Sequence, residues 1–221
     1  MALKDNIIRE YVINEYINQY CSNSKNKNEE KTYLDSIKAA SDKLQNISKE
    51  EIEQIVEHFL CGWGRMGRAL GPRGKFPNWK ENLANAVSRN ASLLQRYATL
   101  DLTDANLDSE REHIEALYKS FRDAVGQVAA TKCLHLFCPG FFPMWDTAIV
   151  GAARKERNEN VQKEFLPEDY CQFVKQVKRF IVDVNNLDLI SSLAKKYGKT
   201  KVKIVDEIFW WATKRPLCLI L

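Results

Sequence analysis

No apolar run in this sequence approaches the roughly 20 residues that a membrane-spanning helix requires, which argues against an integral helical membrane protein. The opening residues, Met1-Ala2-Leu3-Lys4-Asp5-Asn6, lack the charged-then-apolar pattern of a secretory signal. The expected location is therefore the cytoplasm, or the nucleus if the source is eukaryotic. No segment alternates apolar and polar residues between turn signals, so a β-sheet has little to build on. Internal repeats are absent. The six cysteines (Cys21, Cys61, Cys133, Cys138, Cys171 and Cys218) mostly fall in apolar stretches and read as reduced thiols packed like small hydrophobes. Cys133, His135 and Cys138 lie close together, but their spacing is irregular and no second cysteine pair follows, so no metal site is expected.

What is present is apolar and helical. Apolar residues make up 45% of the 221 and charged residues 28%, enough for a real core in one domain or two closely packed lobes. The net charge of +4 permits nucleic-acid binding without demanding it. Apolar stripes at helical spacing run through residues 4–20 and 31–45. Ser48 and Glu51 form a capping box ahead of Ile52, Ile55, Val56 and Phe59. One helix is expected over 79–98, and another after a cap at Asp108 or Ser109. Pro167 suits the first turn of a long helix. Gly198 closes a helix over Leu187–Tyr197, and Thr200 starts the last. Residues 22–30 are polar and read as a surface loop. The fold class is all-α.

Two segments carry chemistry. Residues 60–79 hold five of the nine glycines together with Arg65, Arg68, Arg73 and Lys75, and no acid. Glycine admits close backbone approach, guanidinium groups grip phosphate in a fork, and Trp63, Phe76 or Trp79 could stack on a base. The plainer reading is a glycine-rich connection with Trp63 and Trp79 in the core. The spacing is neither a Walker loop nor a dinucleotide fingerprint.

The second segment, Ala129 to Val150, starts as a helix entered through Gly126, is stopped by Pro139-Gly140, and reaches Asp146 at the place of a helix N-cap. Lys132 stands among small and apolar neighbours, where its charged form is disfavoured and the neutral amine becomes a usable nucleophile. A helix, a reversal and a second helix start bring Lys132 and Asp146, 14 positions apart, toward one site. The structural alternatives stay open: Lys132 reaching the surface along its stem, Asp146 as a cap only, and His135 as a satisfied core histidine.

The order of small residues, lysine, apolar helix, proline-containing loop and aspartate resembles the helix-hairpin-helix DNA glycosylase superfamily, in particular its bifunctional 8-oxoguanine-type members. The residues that carry it are Val125-Gly126-Gln127-Val128-Ala129-Ala130-Thr131-Lys132 and Phe142-Pro143-Met144-Trp145-Asp146, within a match that covers a stretch of about 25 residues. The hairpin is reduced to one glycine, the spacing from lysine to aspartate is shortened, and no iron–sulfur cysteine loop is present. The resemblance implies two closely packed helical lobes with a cleft between them. One lobe would comprise residues 1–100 plus the C-terminal helices, the other residues 101–165. It further implies base flipping into an aromatic-lined pocket, Lys132 attacking C1′ and Asp146 stabilising the sugar cation. The partner would be duplex DNA with a damaged or modified base, and no cofactor is implied. Arg65, Arg68, Arg73, Lys75, Gly126, Trp63, Trp145, Phe142 and His135 would contact DNA or the base. Two other readings stand beside it. One is a non-catalytic nucleic-acid-binding module. The other is a helical protein-interaction domain using Phe209-Trp210-Trp211 and the apolar tail Pro216–Leu221.

Overall fold

The computed structural model describes residue 13 and residues 24–43, 48–71, 74–149, 165–183 and 186–213. Among these residues there are eleven helices and no strand. They are α1 (Ser24–Lys43), α2 (Lys49–Glu51), a π-helix (Ile52–Trp63), α3 (Gly67–Leu70), α4 (Trp79–Arg89), α5 (Ala91–Thr99), α6 (Arg111–Val125), α7 (Gln127–Phe137), α8 (Pro167–Val182), α9 (Leu187–Tyr197) and α10 (Lys201–Ala212). The stripe over 4–20 lies outside the described residues except for Ile13, which is helical and buried.

Local signals act where expected. Ser48 and Glu51 cap reciprocally, each side chain accepting from the other's backbone N–H at 3.2 and 2.8 Å. Pro167 opens α8, Gly198 ends α9 in the left-handed region (φ 62°), and the Thr200 hydroxyl accepts from Lys203 N at 3.1 Å to start α10.

Three expectations are corrected. The polar stretch taken as a loop is helical from Ser24 onward. It contains no proline or glycine to stop a helix, and its continuation carries Glu30 to an ion pair with Lys199 at 2.8 Å. The single helix over 79–98 breaks at Asn90. The Asn90 amide turns back to the Ala86 carbonyl (2.7 Å) and across to the Ser120 hydroxyl (3.1 Å), competing with the helical ladder. Neither Asp108 nor Ser109 caps α6, which begins at Arg111. Asp108 is held instead by the Lys175 ammonium at 2.6 Å, and the Ser109 hydroxyl donates to the Asn106 carbonyl.

The core centres on α7. Every residue from Ala129 to Cys138 is buried, and the helix packs against α1, the π-helix and α6. A helix that is predominantly apolar on every side belongs in such a place, and its polar residues Thr131, Lys132 and His135 are carried inside with it. α8 packs on α6 and α10, and α9 on α10.

α6 and α7 meet at one residue, Gly126 (φ 83°, ψ 163°), in a region essentially closed to other residues. A Cβ there would lie 2.7 Å from the Phe76 ring, at the end of the glycine and arginine segment. Gly126→Ala is expected to destabilise the fold by about 1–3 kcal/mol from the backbone alone. For a chain of this size that is a drop of several degrees in melting temperature, at roughly 2–4 °C per kcal/mol. A calorimetric scan of the variant checks it; an unchanged transition would show that the corner tolerates a side chain.

Candidate functional site

α7 delivers Lys132 inward rather than to solvent. The residue is 9% exposed, and its ammonium nitrogen donates to the Gly64 carbonyl at 2.8 Å. It also lies 5.9 Å from the centre of the Trp63 ring. The surface-reaching alternative is therefore excluded. The Gly64 carbonyl belongs to the turn that ends the π-helix, where Gly64 N donates to Phe59 O at 2.7 Å and Met66 N to Leu60 O at 2.8 Å. Arg65, the next residue, has φ 54°, unusual for a residue with a side chain. The glycine and arginine segment thus packs over the lysine of the second segment, a join that neither reading of the sequence contained.

Burial pushes the Lys132 amine below the ordinary lysine value. Asp146 foremost and then Asp206 pull it back up, while Lys203 and Arg65 push it further down, and the net direction is downward. A buried ammonium whose hydrogen-bond acceptor is a neutral carbonyl is poorly compensated, so its charged form is disfavoured relative to that of an exposed lysine.

Asp146 is placed by a loop tied down by hydrogen bonds along its length. The loop's carbonyls at Pro139, Gly140, Phe142 and Pro143 accept from Thr200 Oγ1 (2.7 Å), Leu102 N (3.1 Å), His135 Nδ1 (2.7 Å) and Tyr170 Oη (2.8 Å). Trp145 N donates to Thr131 Oγ1 at 3.0 Å, tying the loop to the residue just before Lys132. Asp146 then accepts from Ala148 N at 2.7 Å, as an N-cap does, and helical backbone begins at Thr147. Asp146 is half-buried.

His135 sits one helical turn beyond Lys132 and is fully buried. Its Nδ1 faces a carbonyl, which can only accept, so Nδ1 carries the proton and Nε2 accepts from the Tyr33 hydroxyl at 2.8 Å. Burial foremost, then Lys203, lowers its pKa to about 3, against the pull of the Phe142 carbonyl. It is a satisfied core histidine linking α1, α7 and the loop that leads to Asp146.

The other expected contact residues separate into two groups. Arg65, Arg68 and Lys75 are exposed, and Gly126 is half-buried beside Phe76. Arg73 lies outside the described residues. Phe142 (0% exposed) and Trp145 (7%) are core residues. Trp145 stacks on Phe165 (4.8 Å) and Phe173 (5.5 Å), and Phe142 meets Phe141 and Tyr97 edge-on. Neither ring presents a free face to a base in this arrangement. Trp63 is half-buried and stacks on Phe59 at 4.9 Å. Phe209 and Trp211 are buried, Trp210 is exposed, and the apolar tail after Thr213 lies outside the described residues.

Sequence reasoning missed a buried charge cluster on α10. Lys203, Asp206 and Glu207 are 2, 7 and 5% exposed. The signal was available: three ionisable residues at i, i+3 and i+4 inside Val202, Ile204, Val205, Ile208 and Phe209. That spacing also describes a solvated helix face, and only the burial of every residue from Val202 to Phe209 separates the two.

Compared with known proteins, the chain matches no family model, no curated protein and no solved structure.

Proposed function

We propose that this protein is a DNA glycosylase with AP lyase activity acting on duplex DNA with a damaged or modified base. The observation that carries the reading is the environment of Lys132: an amine buried against a neutral carbonyl, depressed in basicity, with Asp146 as the strongest of the opposing charges acting on it. In this reading the fold is of the helix-hairpin-helix glycosylase type, with α6, Gly126 and α7 as the hairpin unit. The lobes would be residues 1–100 with the C-terminal helices, and residues 101–165.

The chemistry follows from that environment. The neutral Lys132 amine forms a bond to C1′ as the bond from C1′ to the base breaks. The base leaves with the bonding pair and a proton, which the new N–C1′ ammonium releases. Asp146 stabilises the positive charge that builds on the sugar as the base departs. Opening of the C1′–O4′ bond, with O4′ taking a proton from water, gives the protonated Schiff base. Loss of a C2′ proton then expels the 3′ phosphate, and water releases the amine. Arg65, Arg68 and Lys75 supply phosphate contacts from exposed positions. Because the Gly64 carbonyl covers the amine, the Gly62–Gly67 turn must shift for attack to occur. Arg65 and Arg68 belong to the same stretch, so phosphate capture there would act on the cover directly.

The test is borohydride trapping of the full chain on duplexes carrying oxidised, alkylated or deaminated bases or an abasic site. A covalent adduct on at least one of them is expected. Salt-dependent binding with no adduct and no cleavage on any of them would reduce the reading to a nucleic-acid-binding module. Indifference to DNA at low salt would remove both.

A further inference from the structure

α10 holds Lys203, Asp206 and Glu207 inside the protein, and such groups are seldom buried unless paired. The pairs are specific. Lys203 Nζ lies 2.9 Å from Asp206 Oδ2 and 3.4 Å from Glu207 Oε1. Lys199 Nζ takes the rest of Glu207 (3.0 Å) and Glu30 from α1 (2.8 Å). Two ammonium groups are thus engaged with three carboxylates. Lys132 is the third buried amine of this region, and it bonds to the Gly64 carbonyl instead. Lys203 and Lys132 nevertheless share one indole, at 4.8 and 5.9 Å from the centre of the Trp63 ring. The Tyr33 ring lies 5.0 Å from Lys203 as well.

We propose that Lys203 is a positioning residue for Lys132: by holding Asp206 in a close ion pair, it denies Lys132 a counter-ion and leaves that amine turned to the Gly64 carbonyl. The use of a neutral amine rests on the glycosylase reading; the pairing itself does not. The charged and titratable groups facing Lys132 come from three places. Asp206 and Lys203 come from α10, Asp146 from the loop after α7, and Arg65 from the turn after the π-helix. From α1, Tyr33 stands beside Lys203 and the Trp63 ring, its hydroxyl committed to His135. Burial pushes Lys203 down, but Asp206 and then Glu207 outweigh it and hold it charged. Burial raises Asp206, with Lys203 the largest influence opposing it. Removing Lys203 therefore acts twice in one direction. The repulsion on Lys132 disappears, and Lys132 becomes the remaining cation that can hold the buried Asp206 carboxylate ionised against burial. Both changes favour the ammonium form of Lys132.

The experiment is a pH titration by NMR of the full chain carrying lysine labelled with ¹³C at Cε, the Lys132 signal being the one lost in Lys132→Gln. The wild-type midpoint is expected below the ordinary lysine value of 10.5. Lys203→Met should raise it by about one pH unit or more, a tenfold loss of neutral amine at a given pH. Lys203→Arg should leave it near wild type, since the guanidinium keeps the charge and grips the carboxylate. Asp206→Asn should lower it, because Lys203 then acts on Lys132 unneutralised. An unmoved midpoint in Lys203→Met, or a shift in Lys203→Arg as large as in Lys203→Met, would overturn the proposal. If Lys203→Met does not fold, Asp206→Asn decides alone, and an unchanged or raised midpoint overturns it. No DNA enters this measurement. Midpoints that move as stated without any trapped adduct would leave the pairing standing and remove the glycosylase reading; an adduct with unmoved midpoints would do the reverse.

Discussion

Lys132→Gln is expected to abolish the borohydride-trapped adduct while leaving the thermal transition close to that of the parent. The amide of glutamine can still donate to the Gly64 carbonyl that Lys132 bonds at 2.8 Å, so that carbonyl keeps a partner and the fold loses little. What is lost is the lone pair that would form the bond to C1′, and without it no Schiff base exists for hydride to reduce. Lys132→Arg keeps a cation at the same place but has no usable nucleophile, and should be equally inactive. Asp146→Asn separates charge from structure, because asparagine still caps the turn that Asp146 opens by accepting from Ala148 N. Its expected effect is a loss of about 10²- to 10³-fold in rate, with trapping still detectable. The wild-type rate should climb with pH to a plateau whose midpoint lies below 10.5, since only the neutral amine attacks and burial lowers its basicity. A Lys132→Gln protein that still traps would take the chemistry away from this residue altogether.

Had the pattern been read with burial in hand, α10 would have been the most informative helix. Legibility divided along the range of the interaction. The reciprocal cap of Ser48 and Glu51, Pro167 at the start of α8, Gly198 at the end of α9 and the Thr200 cap all act within four residues, and each was visible as a short pattern. Asp146 as a helix cap belongs to the same group. The break at Asn90 depends on Ser120, 30 positions away, and the helix through Glu30 on Lys199. Neither partner can be read from a window of a dozen residues. The site follows the same division. Lys132 and Asp146 were legible because one helix and one loop join them, but the covering carbonyl of Gly64 is 68 positions from Lys132. Phe142 and Trp145 are expected from the resemblance to contact a flipped base, because aromatic residues beside a proline loop fit a base-stacking pocket as well as a core. The ring contacts with Phe165, Phe173 and Tyr97 decide for the core. Lys203, Asp206 and Glu207 were passed over for a related reason: the pattern of an exposed charged face and that of a buried ion-pair cluster are the same on one helix.

Acid should loosen this protein well before its carboxylates titrate, and His135 is the cause. The folded state holds the imidazole neutral with a pKa of about 3, whereas an unfolded chain returns it to about 6.5. Between those values the unfolded state binds a proton that the folded state does not, so stability falls as pH falls across the window. The full difference corresponds to roughly 5 kcal/mol, and about 2 kcal/mol of it is lost by pH 5. The carboxylates with lowered pKa values, Glu51, Asp101, Asp108 and Glu110, lose their stabilising charge from the ordinary carboxylate value downward, at lower pH than the imidazole. His58 and His113 are exposed. Urea midpoints from pH 7 to pH 5 isolate the buried imidazole when the parent is compared with His135→Gln, because Asp206, which burial raises, and the His113–Glu110 pair are common to both. The parent should weaken steadily over that interval, and His135→Gln should show a much flatter profile. The effect reaches the site as well, because protonation makes Nε2 a donor, so the Tyr33 hydroxyl must turn to accept from it, and places a charge in full burial. The imidazole so disturbed holds, through its other nitrogen, the Phe142 carbonyl four residues before Asp146. Any activity that depends on Asp146 should accordingly fail as the pH approaches 3, where the folded protein takes up that proton, and persist further in a His135→Gln protein that retains the fold. Equal slopes of stability against pH in the two proteins would show that the imidazole titrates elsewhere, and with it the link from α1 through α7 to the aspartate loop would lose its support.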